Sequence, residues 1–305
     1  MLRVGRIRES VYKRSVRKQL HRDDPAAGSS FLPLIVVEGW TLAADRVVSN
    51  LINTFALNRS RVRQISLSLS MPEGTEEAEL RNFTGELGLL CRKYGILAAV
   101  EEARVVKGLP VPLINATGLG DGDPAGKAGK IRPDMDLVAV GSIACEGAAV
   151  LARDHEEELR KRFAGFYVEE AKELFAHSAM PVIRDILEGK DASGIALGQG
   201  GIFGGLWDLA ASGPVGLDVD LSAIPIRQHT VEVCEFFNLN PYMLLSGGCL
   251  LLAADQGEFL VTLLREQEIS AAVIGRTTSS RDRIIRYDEE IRYLEPPKTD
   301  EIYRI

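Results

Sequence analysis

Apolar residues recur at spacings of three and four over 41–57. Leu42, Val47, Val48, Leu51, Ile52 and Phe55 would therefore line one side of a helix. Just before it, FLPLIVVEGW (31–40) reads as a buried strand. Just after it, RQISLSLS (63–70) alternates apolar and polar residues, which predicts a half-buried strand with Ile65, Leu67 and Leu69 inward. A helix follows MPEGTEEAEL, with Thr75 as the expected N-cap and acids in the first turn. Leu80, Phe83, Leu87, Leu90, Cys91 and Tyr94 form its apolar face, and Gly95 ends it. ILAAV (96–100) and VPLINATGLG (111–120) are further strands. The loosest stretch, GDGDPAGKAGKIRPDMD (120–136), suits a loop or a boundary. A division near Arg132 gives an N-terminal domain of 1–132 and a C-terminal domain of 133–305.

The second half opens with the strand DLVAVGS (136–142) and a short helix at 147–153. A long helix is expected from Glu156 to His177, then another at 180–188. SGIAL, VGLDVDL, CLLLAA and ISAAVIGRT read as strands. LWDLAAS, TVEVCEFFN (Thr230 as N-cap) and GEFLVTLLREQE read as helices, and RIIRY with IRYLE closes as a hairpin. Strands and helices mix without strict βαβ alternation, so the fold class is α+β in two domains.

Charge narrows the possible partners. The formal net charge of −7 argues against general nucleic-acid binding. Residues 1–22 nonetheless hold eight Lys or Arg against Glu9. Such a segment could fold over phosphate groups or stand as a solvated tail. No run of 18 apolar residues exists, so no membrane span is expected, and the first residues lack the apolar core of a signal peptide. Cys91, Cys145, Cys234 and Cys249 are far apart, against both a zinc site and a disulfide scaffold. A reduced, cytoplasmic protein is the expectation. His21, His155, His177 and His229 show no ligand spacing. Cys145 reads as a small buried residue, and Phe203 and Trp207 as core.

GQGGIFGGLWDLA (198–210) puts five glycines into eight positions ahead of an apolar run. A P-loop would need a following lysine, and a dinucleotide fingerprint would need glycine where Phe203 stands. Two readings remain open. The glycines can present a helix N-terminus to an anion, or Gly204 and Gly205 can let a helix pack closely on a sheet.

ACEGAAVLARDHEEELRKRF, GGIFGGLWDLAASGPVGLDVDLSAIPIRQHTVEVCEFFNLNPYMLLSGGCLLLA and the tail IGRTTSSRDRIIRYDEEIRYLEPPKTDEIYRI together resemble the AIR synthase-related family. That group contains aminoimidazole ribonucleotide synthetase, selenophosphate synthetase, thiamine-monophosphate kinase and a hydrogenase maturation factor. GRIRESVYKRSV and QISLSLSMPEGTEEAEL extend the resemblance more faintly. It implies an N-terminal sheet that pairs with a second subunit's sheet into a barrel across a homodimer, and a C-terminal α+β domain. It also implies ATP in the cleft with Mg²⁺ on acidic residues, and phosphoryl transfer to a small amide- or carbonyl-type substrate.

The family's site motifs are altered here. Asp23 and Asp24 precede Pro25 in DDPAAGS, Asn53 is followed by Thr54 in place of an acid, and Glu101 and Glu102 stand where a glycine-rich motif is usual. IALGQGG keeps Gly200 and Gly201 but has Ile195, Ala196 and Gly198 at polar positions. The resemblance therefore implies Asp23, Asp24, Asn53, Gly200 and Gly201 as nucleotide-binding positions, and Asp24, Glu101 and Glu102 as metal ligands. It also leaves a second expectation: a non-catalytic homologue that keeps the fold and dimer for binding or scaffolding.

Overall fold

The computed structural model describes residues 33–121, 129–176 and 178–305, together with Ser15. The basic segment apart from Ser15, Asp23 and Asp24, His21, His177 and residues 122–128 of the loose stretch lie outside the described residues.

The first sheet holds β1 (Leu34–Glu38), β2 (Arg61–Met71), β3 (Leu97–Val105) and β4 (Leu113–Asp121), in the order β1-β4-β2-β3. β4 runs antiparallel to β1 and β2, while β2 and β3 are parallel. The alternation read from RQISLSLS holds. Ile65, Leu67 and Leu69 are buried with Val37, Ile114 and Ala116 under two helices, α1 (Ala43–Leu57) and α2 (Glu77–Tyr94). Thr75 is not the N-cap of α2; its hydroxyl donates to the Pro72 carbonyl (2.9 Å). The helix starts one residue later, where the Glu79 carboxylate accepts from the Glu76 amide (2.9 Å).

The second sheet has seven strands: β5 (Asp136–Val140), β6 (Ala192–Ala196), β7 (Gly216–Asp220), β8 (Leu250–Ala254), β9 (Ala271–Thr278), β10 (Arg283–Tyr287) and β11 (Glu290–Tyr293). Their order is β11-β10-β7-β9-β5-β8-β6. All pairs are antiparallel except β7 with β10. The near-continuous apolar runs in β5 and β8 are explained by cover on both faces. Leu137, Ala139, Leu251 and Ala253 enter one core, and Val138, Val140, Leu250 and Leu252 enter another.

Helices fill the rest: α3 (Cys145–Asp154), α4 (Glu156–Leu159), α5 (Gly165–Lys172), α6 (Ile183–Leu187), α7 (Gly201–Ser212), α8 (Gln228–Phe236) and α9 (Gly257–Arg265). The long helix expected from Glu156 to His177 is broken. Ala164 is extended (φ −61°, ψ 146°), so α5 starts afresh at Gly165. The break folds α5 back until Lys172 reaches Glu156 and Arg160 reaches Glu169. Thr230 is inside α8 rather than capping it; it is fully buried with its hydroxyl 3.7 Å from the Cys145 sulfur.

One element joins the two sheets. α1 is buried on nearly every side, because the first sheet covers one flank while α6 and β6 meet the other. A helix enclosed in this way must give its polar side chains internal partners. Arg46, Asn50 and Asn53 find theirs in the second half of the chain.

Candidate functional site

The glycine stretch forms the turn from β6 into α7. Gly200 has φ 83° and Gly201 φ 58°, the left-handed region where a side chain is strained. Gly201 is also fixed by space, since a Cβ there would lie 2.6 Å from the Tyr242 carbonyl oxygen. Gly204 and Gly205 fall inside α7, where Gly205 abuts Leu197. Close helix–sheet packing is thus part of what the glycines do.

The turn also holds an anion, and that anion belongs to the chain. The Gly200 amide donates to Oδ2 of Asp300 (2.6 Å). Oδ1 accepts from the amides of Leu245 (3.2 Å) and Ile302 (2.9 Å). Burial pushes the Asp300 carboxyl up to about 6; the three amides pull the other way, and the Glu146 charge adds to the rise. Beside it, the Tyr303 hydroxyl donates to Glu38 Oε1 (3.0 Å) and accepts from Gln199 Nε2 (2.6 Å). The C-terminal 3₁₀ turn Glu301–Arg304 therefore ties the glycine turn to the end of β1.

The loop Leu245–Gly248 is where the halves meet. Its four successive amides each have a separate acceptor: Asp300 for Leu245, the Gly198 carbonyl for Ser246, Glu146 for Gly247 (2.6 Å) and Asn50 for Gly248 (2.8 Å). Glu146, on α3, is buried and pairs with Arg46 on α1 (2.7 Å). Arg46 also donates to the Glu38 carbonyl (3.0 Å). Sequence reasoning missed Arg46, Asn50, Glu146 and Asp300. For Arg46 and Glu146 a charge set among small and apolar residues, as in LAADRVV and ACEGAAVLA, was the available signal; Asn50 and Asp300 carried none.

Asn53 lies in the same seam. Its side chain accepts from the Met180 amide (2.6 Å) and donates to the Ser178 carbonyl (2.8 Å), and the residue is 1% exposed. The expectation of nucleotide contact at Asn53 is set against an amide already engaged with backbone. Thr54 donates to its own helix at the Asn50 carbonyl.

Glu101 and Glu102 sit elsewhere, on the edge strand β3. Neighbours on a regular strand point to opposite faces. Here the β2–β3 register shifts after Leu67–Val100, so that Ser68 pairs with Glu102 and Glu101 becomes the extra residue. Glu101 Oε1 accepts from Ser66 Oγ (3.1 Å), and Glu102 lies 3.5 Å from Arg104. The bulge thus brings both carboxylates to the outward face, with Ser66 and Ser68. Among the described residues, no group of three or more His, Cys, Asp or Glu is gathered for a metal. Mg²⁺ commonly takes one or two protein carboxylates together with phosphate and water, so the Glu101–Glu102 pair fits such a role.

Among the described residues, the cysteines are buried and the histidines are paired. All four cysteines are buried, and burial raises the thiols of Cys91, Cys145, Cys234 and Cys249. His155 pairs with Glu158, and His229 pairs with Glu170 while stacking on Tyr167.

Comparison with known proteins gives this arrangement its relatives. The family described as "AIR synthase related protein, C-terminal domain" matches residues 132–288, more than half of the chain. The chain belongs to the AIR synthase-related family. The carbamoyl dehydratase HypE of Rhodobacter capsulatus is 24% identical over 250 residues, covering 78% of this chain and 71% of that one. A solved hydrogenase maturation protein HypE, in complex with ATP, superposes with a TM-score of 0.69 at 18% identity, covering 99% and 98% of the two chains. Thiamine monophosphate kinase from Aquifex aeolicus gives a TM-score of 0.65 at 15% identity, with 97% and 100% covered. These two likenesses show the fold. In this AIR synthase-related protein, then, the α+β architecture of the family is built around a seam made largely by backbone amides. The glycine turn is present and its anion is internal.

Proposed function

We propose that this AIR synthase-related protein uses ATP to phosphorylate the amide- or carbonyl-type oxygen of a small substrate. The observation that carries the proposal is the bulge that turns Glu101 and Glu102 together onto the outward face of the first sheet. The likeness to a family protein solved with ATP, over nearly the whole chain, supports it. Phosphoryl transfer asks mainly for positioning and charge neutralisation, which hard oxygen ligands and backbone amides supply. Glu101 and Glu102, with Asp24, would hold Mg²⁺, which neutralises phosphate charge when bound. Asp23 and the basic segment would complete the nucleotide site. The Gly200–Gly201 turn would meet phosphate, Gly200 with the amide that Asp300 now occupies, and Asn53 would keep the two halves in register.

The proposal includes a homodimer. On the outward face, β-register lines up Leu97 with Gln64 and Leu119, and Leu34 with Thr117 and Ser66. Leu34, Val36, Leu97 and Leu119 are exposed there. A second copy would cover this apolar strip and the glutamate pair together. Asp300 in the glycine turn favours a second reading, a non-catalytic homologue that binds or scaffolds.

Titration calorimetry with Mg–ATP separates the two readings. Saturable binding that is lost in Asp24→Ala/Glu102→Ala, with phosphoryl transfer or ADP release at turnover, supports the enzyme. No heat with the wild type, or unchanged affinity in the double variant, overturns the assignment.

A further inference from the structure

The β10–β11 hairpin and two 3₁₀ turns border a half-open pocket of about 400 Å³, lined by Leu221, Tyr242, Ile285, Tyr287, Glu290 and Arg292. Hairpin register sets Ile285 opposite Arg292 and Tyr287 opposite Glu290, so these four side chains share one face. Leu221 comes from the turn Leu221–Ala223, and Tyr242 from the turn Pro241–Met243.

Tyr242 is held firmly. Phe203 of α7 stacks behind its ring at 5.4 Å and 10°. The Asn240 side chain accepts from its amide (3.0 Å), and Pro241 stiffens the turn. Its carbonyl faces Gly201, so the cavity adjoins the glycine turn without using that turn's donors. Burial raises the Tyr242 phenol, which keeps the hydroxyl neutral. At the mouth, Arg292 pairs with Glu290, and both side chains are largely exposed.

We infer that this cavity binds a planar nitrogen heterocycle of the nucleobase class, presented as an uncharged nucleoside. The ring lies against Tyr242 and Tyr287, and its polar edge meets Glu290 and Arg292. The floor is apolar and aromatic, which suits a flat ring, and the volume is in the range of small-ligand sites. The mouth offers a carboxylate acceptor and a guanidinium donor side by side. A ring edge carrying both an amine and an acceptor nitrogen satisfies them, whereas a hydrocarbon would desolvate the pair with nothing in return. The pair sums to zero charge, so the mouth does not draw phosphate. The inference goes beyond phosphoryl transfer and does not rest on it.

Adenosine is the probe, titrated into the full chain without Mg²⁺ or phosphate. Saturable binding at one site per chain is expected. Tyr287→Ala and Arg292→Ala, both at exposed positions, should each weaken it by about tenfold or more, as loss of a stacking or edge partner does. Tyr242→Phe keeps the stacked ring and should keep most of the affinity; circular dichroism checks each fold. No binding at about 1 mM adenosine, or equal affinity in the Tyr287→Ala/Arg292→Ala double variant, overturns the inference. Adenosine binding that depends on Tyr287 and Arg292 in a protein that ignores Mg–ATP supports this site and rejects the nucleotide proposal.

Discussion

Asp300 faces two opposed forces. Desolvation disfavours its charge, and three amides favour it, with desolvation the larger. The folded protein therefore holds the Asp300 proton more tightly than the unfolded chain does. The stability this group contributes is full below the ordinary aspartate range and is lost as pH rises through about 6. The loss is on the order of 3 kcal/mol. Asp300→Asn removes the titration but sets an amide NH₂ against one of the donors. Urea midpoints should show the wild type's margin over the variant shrinking between about pH 4 and pH 7. A margin that grows with pH would mean that the amides win. Asp300 was not legible in the sequence, because its partners are backbone groups at Gly200 and Leu245, and backbone groups leave no mark in composition. Gly200 and Gly201 were legible, because only glycine takes their φ without strain.

At the scale of elements, α1 and α3 are locked by the buried Arg46–Glu146 pair. Arg46→Met would leave Glu146 buried without its cation, at a cost of roughly 3–5 kcal/mol. Arg46→Met/Glu146→Gln removes both charges while the Gln oxygen still accepts from Gly247. It should be more stable than Arg46→Met alone, and a double-mutant cycle by urea unfolding measures the coupling. A double variant as unstable as the sum of the singles would show that the pair is not coupled. Most elements were readable from periodicity, since α1, β2 and β5 have patterns set by which faces are covered. The break at Ala164 was not, because EEELRKRFAGFYVEEAK keeps helical charge spacing across it. The turn is decided by packing of Phe163 and by ion pairs that form only after α5 folds back.

At the scale of the whole molecule, α1 and α2 cover one face of the first sheet, and among the described residues no element packs on the other, where Leu97 is 72% exposed. Sedimentation velocity at micromolar concentration should show a dimer, and Val36→Lys/Leu97→Lys should return a folded monomer. A wild-type monomer would count against pairing through this face. The two-sheet α+β architecture was accessible from the sequence, yet the contact between the sheets was not, since it depends on the Leu245–Gly248 loop. That loop has a consequence for the order in which the chain folds. Three of its amides wait for acceptors 55, 101 and 198 residues away in sequence. Within the sheets the longest-range pairing, Asp136 with Arg276, spans fewer residues than the bond from the Gly248 amide to Asn50, which waits for helix α1. Contacts that span the chain in this way bear the largest closure entropy and form late. The bond from Gly248 to Asn50 is thus expected to form after the sheets have closed, and to be lost when either half loosens.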